Sequence, residues 1–525
     1  MKRFTRVLAL VLSCCMCVSM LACGSEGGSS NGSGKSGSGD REEIKVAYWL
    51  SGLGEQWLSD LAAAFEEKQD KYTINYITSP TATALTSAFG MEDMDETDLY
   101  FSLNIGFREY MEPLDSLLES TADGDTKPLK EKFNAKYLEF EKADDGHYYT
   151  LTYGGGMINL YYNKDLMEQA GITQLPRTSD ELTVLCDNLS SQGIVPICHF
   201  KGGGYYEFLM RLYMAQYDGL DYYLNNWITC TDEAGNSPSK DVLTKKDGRY
   251  YALKAMEKFL TPDYTLPGST TQTHTEIQTM FLNKSAAMMI NGSWIENEMK
   301  ASKGQYNIAT MKLPVISAIV NTLDTVKSDA LLRSVVTAVD QVSDGEKTAA
   351  DFASGDGYMI DGTLISASDW TRIYEARNMI QGNYAKESAF VPKYSAQKEG
   401  ALEFLKFMYS DAGYQIYAQA TKCPLPMNLS GGSIDMSEMS DTQISQFELI
   451  NKDISFVDLT SARESLIYLI GGASLMASIN YVDKFCAANA DDRMSADDVW
   501  ALMVKTVEEN YENNWLLNIE VKKEK

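Results

Sequence analysis

Between Ile44 and Phe101 the chain alternates strand-like and helix-like patterning, and that alternation restricts the fold more than any other feature. Ile44 to Leu50 (IKVAYWL) is a β-rich run, followed by Gly-Leu-Gly. Gln56 to Gln69 then places Trp57, Leu58, Leu61 and Phe65 on one helical face. Tyr72 to Thr78 (YTINYIT) predicts a second strand, Thr81 to Phe89 a helix, and Asp98 to Phe101 (DLYF) a third strand. Strand, helix, strand, helix, strand at this spacing predicts an α/β lobe with a largely parallel sheet. Ligands of such sheets collect at the carboxyl ends of the strands, here Trp49 to Ser51, Ser79 to Thr81 and Ser102 to Asn104.

The rest of the chain is richer in helix. Lys164 to Ala170, Ser179 to Ser191, Tyr206 to Tyr217, Arg249 to Leu260 and Lys398 to Met408 carry apolar residues at three-and-four spacing. Thr178 or Ser179 is placed to cap the second of these, Ser410 the helix after the last, and Ser495 with Asp498 resembles a capping box. At 525 residues the chain must divide into two or more lobes. With 46 Lys+Arg against 73 Asp+Glu its formal charge is −27, which repels nucleic acid and anionic lipid. Outside the Gly/Ser stretch Gly24 to Asp40 there is no G-x-S-x-G, and the chain has no H-E-x-x-H and no phosphate loop, so catalytic chemistry has little to attach to. His147, His199 and His274 lie far apart, and Cys186, Cys198, Cys230, Cys423 and Cys486 are irregularly spaced. No cofactor or metal is expected, and any disulfide pairing stays open.

Residues 1–22 (MKRFTRVLALVLSCCMCVSMLA) have the basic start and short apolar run of an export signal. Met20 to Gly24 resembles the lipobox of bacterial lipoproteins, with Met20 where leucine is usual, and Cys23 is the expected lipidated residue. Gly24 to Asp40 holds seven Gly and six Ser in seventeen positions. That composition behaves as flexible coil with a reach of about 20–25 Å. Residues 23–41 therefore read as a tether to the outer face of a membrane.

Tyr153 to Leu166 (YGGGMINLYYNKDL), Ala170-Gly171-Ile172 and Leu175 to Leu182 (LPRTSDEL) resemble the signature of the extracellular family 1 solute-binding proteins, with Ser179 in place of a tryptophan. Phe281 to Trp294 (FLNKSAAMMINGSW) and Ser395 to Tyr409, with Thr421 to Pro426 behind it, are similar to two further family segments. The resemblance implies the two-lobed periplasmic-binding-protein fold of the maltose-binding-protein relatives (α/β, type II), with a ligand cleft between lobes. Lobe one is expected over 42–153 plus 310–430, and lobe two over 158–308 plus 431–525. The chain would cross between them near Tyr153 to Met157 and Ala309 to Pro314, and residues 315–387 would elaborate lobe one.

The resemblance further implies a lipid-anchored, monomeric receptor that captures a carbohydrate outside the cell and passes it to the permease subunits of an ABC importer. A polysaccharide-degrading surface lipoprotein and a sensory binding protein for a membrane kinase are the alternatives. A sugar needs aromatic faces for its C–H surfaces and polar side chains for its hydroxyls. The candidates are Trp294, Tyr205, Tyr206 and Glu207 from lobe two, and Trp49, Thr81, Asn104 and Tyr153 at strand ends of lobe one.

Overall fold

A computed structural model describes residues 41–525 except 92–95, 104–106, 144, 229–238, 301–305, 383, 385–386, 451, 453, 458–478, 513–515 and 517–525. The signal segment, Cys23, the tether as far as residue 40, Asn104 and Cys230 lie outside the described residues. Two sheets organise the body. In the first, Glu42–Trp49 sits between Tyr72–Ser79 and Leu99–Leu103, parallel to both. Glu387–Phe390 then adds antiparallel to Leu99–Leu103, and Leu151–Thr152 closes the far edge. The helix Gln56–Lys68 lays Trp57, Leu58, Leu61 and Phe65 on this sheet, the face its spacing predicts.

The second sheet is centred on Met157–Asn163. One edge of that strand pairs antiparallel with Met288–Gly292, which in turn carries Ile197–Cys198. Its other edge is shared by Met379–Gly382 near the start and Ile308–Met311 near the end. Helices Ser179–Ser191, Tyr206–Asp218 and Gly248–Glu257 cover the sheet with a core that includes Leu182, Leu185, Leu209, Tyr213 and Leu253. Thr178 caps the first by accepting from the Glu181 N–H, Ser410 caps Asp411–Thr421, and Ser495 forms its capping box with Asp498.

The division between lobes differs from the sequence expectation in two places. Residues 315–378, expected in lobe one, join the second core through Val315, Leu332, Val335, Val339, Trp370 and Ile373. The Gln216 side chain ties them there, donating to the Ala376 carbonyl at 2.9 Å and accepting from the Ile316 N–H at 2.9 Å. The chain therefore does not leave the second lobe at Ala309 to Pro314. It leaves after Met379–Gly382 and re-enters the first sheet at Glu387. Conversely Phe447, Ile450 and Ile454, expected in lobe two, pack in the first core, while Val457, Val482, Phe485, Trp500 and Met503 pack in the second. A third crossing thus falls at Ser455–Phe456, a short strand that pairs parallel with Met379–Gly382 of the second sheet while the Phe456 ring still packs in the first core. No helix among the described residues is long and apolar enough to cross a membrane.

Candidate ligand-binding site

Between the two sheets lies a cavity of about 530 Å³. From the first lobe it is lined by Trp49, the loop Ser51 to Leu53, Leu103 and Glu387. From the second come Phe200, Gly204, Tyr205, Glu207, Phe208, Trp294 and Glu298, with Gly155 at the crossing. Trp49 ends its strand, so the loop after it falls at the carboxyl edge of a parallel sheet, the position such folds use for ligands. That loop is pinned from below: the Tyr48 hydroxyl donates to the Gly54 carbonyl at 2.6 Å, and the Trp57 indole N–H donates to Tyr48 at 3.3 Å.

Trp294 is held by its neighbours' lack of side chains. A Cβ on Gly292 would lie 2.3 Å from the Trp294 ring, one on Gly156 3.3 Å from Cε3, and one on Gly52, from the other lobe, 3.6 Å from Cβ. The Ser293 N–H donates to the Met157 carbonyl at 3.0 Å and fixes the strand-to-helix turn that carries the indole. The helix Ile295–Glu298 brings Glu298 round one turn from Trp294, where it accepts from the Gln278 amide at 2.7 Å.

Three successive glycines in the left-handed region, Gly202, Gly203 and Gly204, turn the chain from Phe200 into the helix Tyr206–Asp218. Tyr205 comes out of this turn half-buried, edge-on to Trp294 with ring centres 6.1 Å apart and edge-on to Phe200 at 5.5 Å. Burial, with Glu298 nearby, pushes its hydroxyl up to about 12, so it is a neutral donor at physiological pH. Glu207 follows in the first turn of the helix.

Of the sequence candidates, Trp49, Tyr205, Glu207 and Trp294 line this cavity. Three do not. Tyr206 is 1% exposed and points into the second core. Tyr153 is fully buried, stacked on Trp57 at 5.7 Å beneath the cleft. Thr81 is exposed at the start of the helix Ala82–Phe89 and is not among the lining residues. Phe200, Phe208, Glu298 and Glu387 were not singled out from sequence. Phe200 and Phe208 flank the glycine turn and Glu298 is one helical turn past Trp294, so all three had a signal. Glu387 had none. Among the described residues no group of three or more His, Cys, Asp or Glu side chains could hold a metal ion.

The profile of the bacterial extracellular solute-binding proteins matches residues 51–415. The chain belongs to this family. Binding proteins of Brucella abortus and Brucella suis are 24% identical to it over 286 residues, 52% of this chain and 64% of theirs. RafE of Streptococcus pneumoniae superimposes with a TM-score of 0.57 at 14% identity, covering 90% of this chain and 100% of that one. The bacterial solute receptor AcbH gives 0.57 at 13% identity over 89% and 98%. A maltose-bound T. maritima protein gives 0.54 at 15% over 90% and 99%. At such identities these likenesses establish the two-lobed solute-binding-protein fold. As an extracellular solute-binding protein, the chain has its interlobe cavity where a solute would contact both lobes.

Proposed function

We propose that this protein is a monomeric, lipid-anchored receptor on the outer face of the bacterial cytoplasmic membrane. It captures a sugar or oligosaccharide between its lobes and delivers it to an ABC importer. The observation that carries the reading is the aromatic wall of the cavity. Trp49 stands on one lobe and Trp294 and Tyr205 on the other, with Glu207, Glu298 and Glu387 in the same wall, so a pyranose ring bound between the lobes would have aromatic side chains on both sides and carboxylates to accept from its hydroxyls. RafE has been solved with raffinose, and AcbH prefers β-D-galactopyranose; both are sugars. A ligand that touches both lobes only when they are closed shifts the protein toward the closed form. The permease recognises that form, and ATP hydrolysis belongs to partner subunits.

A thermal-shift screen against mono- and oligosaccharides tests the reading. A cognate sugar at a hundred times its Kd stabilises by about 2.7 kcal/mol. Trp294→Ala is expected to abolish the shift. If no sugar raises the midpoint, the carbohydrate assignment fails. Cys23→Ser tests the anchor separately: the variant should be released from the membrane fraction.

A further inference from the structure

The cavity wall is unbalanced in charge. Glu207, Glu298 and Glu387 line it, and no lysine, arginine or histidine is among the described lining residues. Glu207 has a cation at hand, the guanidinium of Arg211 at 3.9 Å. Glu298 instead accepts from the neutral Gln278 amide. The imidazole of His274 stands 3.9 Å from it but is neutral at pH 7, because burial pushes its pKa below 6.5 against the pull of that carboxylate. Glu387, on the other lobe, is only 7% exposed.

A ligand that fills the cavity strips water from these carboxylates. A neutral hydroxyl returns one ordinary hydrogen bond to each, and the charge stays poorly solvated. An ammonium group returns a charge-assisted bond, and the indoles of Trp49 and Trp294 in the same wall offer it cation–π partners. The overall charge of −27 favours a cationic ligand during encounter as well. We propose that the ligand of this cavity carries a positively charged amine. The inference rests on the reading of the cavity as the solute site, and with the carbohydrate assignment it specifies an amino sugar or its oligomer.

The test is calorimetric titration of the full chain at about pH 5.5, where sugar amines are protonated. The probes are the β-1,4 tetramer of glucosamine, the same tetramer N-acetylated, and spermidine. The free-amine tetramer is expected to bind about tenfold or more tightly than the acetylated one. Glu298→Gln should reduce that ratio to about threefold or less, and Glu387→Gln on the opposite lobe should do the same. Equal or tighter binding of the acetylated tetramer, or an unchanged ratio in both variants, overturns the amine inference and leaves the sugar receptor standing. Spermidine binding without either tetramer upholds the amine and overturns the amino-sugar specification. Failure of all three probes overturns the amine inference, and the sugar reading falls only if the wider saccharide screen also finds no ligand.

Discussion

The position of Trp294 depends on Gly292 being a glycine, and that dependence can be measured. In Gly292→Ala the new methyl would lie 2.3 Å from Cη2 and Cζ2 of the indole and 2.5 Å from Cε2. Carbon atoms pack at about 3.5–4.0 Å, so the ring must retreat by more than about 1 Å. It is already hemmed in by Gly156 and by Gly52 of the other lobe. Overpacking of this kind costs about 1–3 kcal/mol, and losing the edge-on contact with Tyr205 another 0.5–1.5 kcal/mol or so. At about 2–4 °C per kcal/mol for domains of 150–250 residues, the thermal midpoint should fall by roughly 3–18 °C. Ligand affinity should fall with it, since the ring that moves is a wall of the cavity. The control is the same substitution made in Trp294→Ala, where the clashing atoms are gone. Gly292 is not in the left-handed region, so alanine there should be neutral or mildly stabilising. The double-mutant cycle is therefore expected to give a coupling of about 1–3 kcal/mol. A coupling under about 0.5 kcal/mol would refute the glycine-cradle argument.

Three further outcomes follow from buried ionisable groups. Burial works against the charge of Asp340, but Arg377, bonded to it at 2.9 and 2.9 Å, and Lys312 hold its pKa below the ordinary 3.8. Its contribution is present above that pH and lost as pH falls below it; Asp340→Asn should cost about 3 kcal/mol at neutral pH in urea unfolding and much less in acid. Asp218 behaves oppositely: burial, and then Asp247, push it up to about 7. The folded chain thus holds a proton between about pH 4 and 7 that the unfolded chain has released, so this group's stabilisation fades as pH rises across that window. Asp218→Asn should flatten the slope, and an unchanged pH profile of the midpoint would refute the assignment. Finally, Cys186, Cys198, Cys423 and Cys486 are free and buried, with thiol pKa values raised chiefly by burial, that of Cys423 to about 12. Mass mapping after treatment with a thiol reagent should find these four unlabelled until denaturant is added.

Local pattern was enough for the elements and not for their allegiance. The spacing in Gln56 to Lys68 and Ser179 to Ser191 announces which face is buried, and the caps Thr178, Ser410 and Ser495 announce where helices begin. The helix Asp329–Ser343 announces a buried face just as clearly, through Leu332, Val335, Val336 and Val339. Periodicity, however, says nothing about which core receives that face. The decision is made by contacts remote in sequence, such as Gln216 with Ile316 and Ala376, and Arg177 with Thr337 at 2.7 Å. The same limit explains the site. Trp294 was legible through the resemblance of Phe281 to Trp294 to a family segment, and Tyr205 because it follows the glycines Gly202 to Gly204 at the start of a helix. Tyr153 was misread because a strand-end position looks identical whether its ring faces the cleft or, as here, Trp57 beneath it. Glu387 was invisible because the strand that carries it returns from the other lobe.

The glycines of the first crossing serve close packing more than freedom of movement. Only Gly155 lies in the left-handed region, at φ 80°. A Cβ on Gly154 would lie 2.5 Å from Glu387 Oε2 and 2.7 Å from Leu53 Cδ1, and one on Gly156 2.0 Å from Ser293 Oγ. The crossing is therefore a seam on which the cavity's own groups rest: the Glu387 carboxylate from the first lobe and the Ser293–Trp294 turn from the second. Interfaces packed this closely move between discrete arrangements rather than deforming continuously. Any relative motion of the lobes about this seam must carry Glu387 and Trp294 with it, so closing the cleft and shaping its walls are one event.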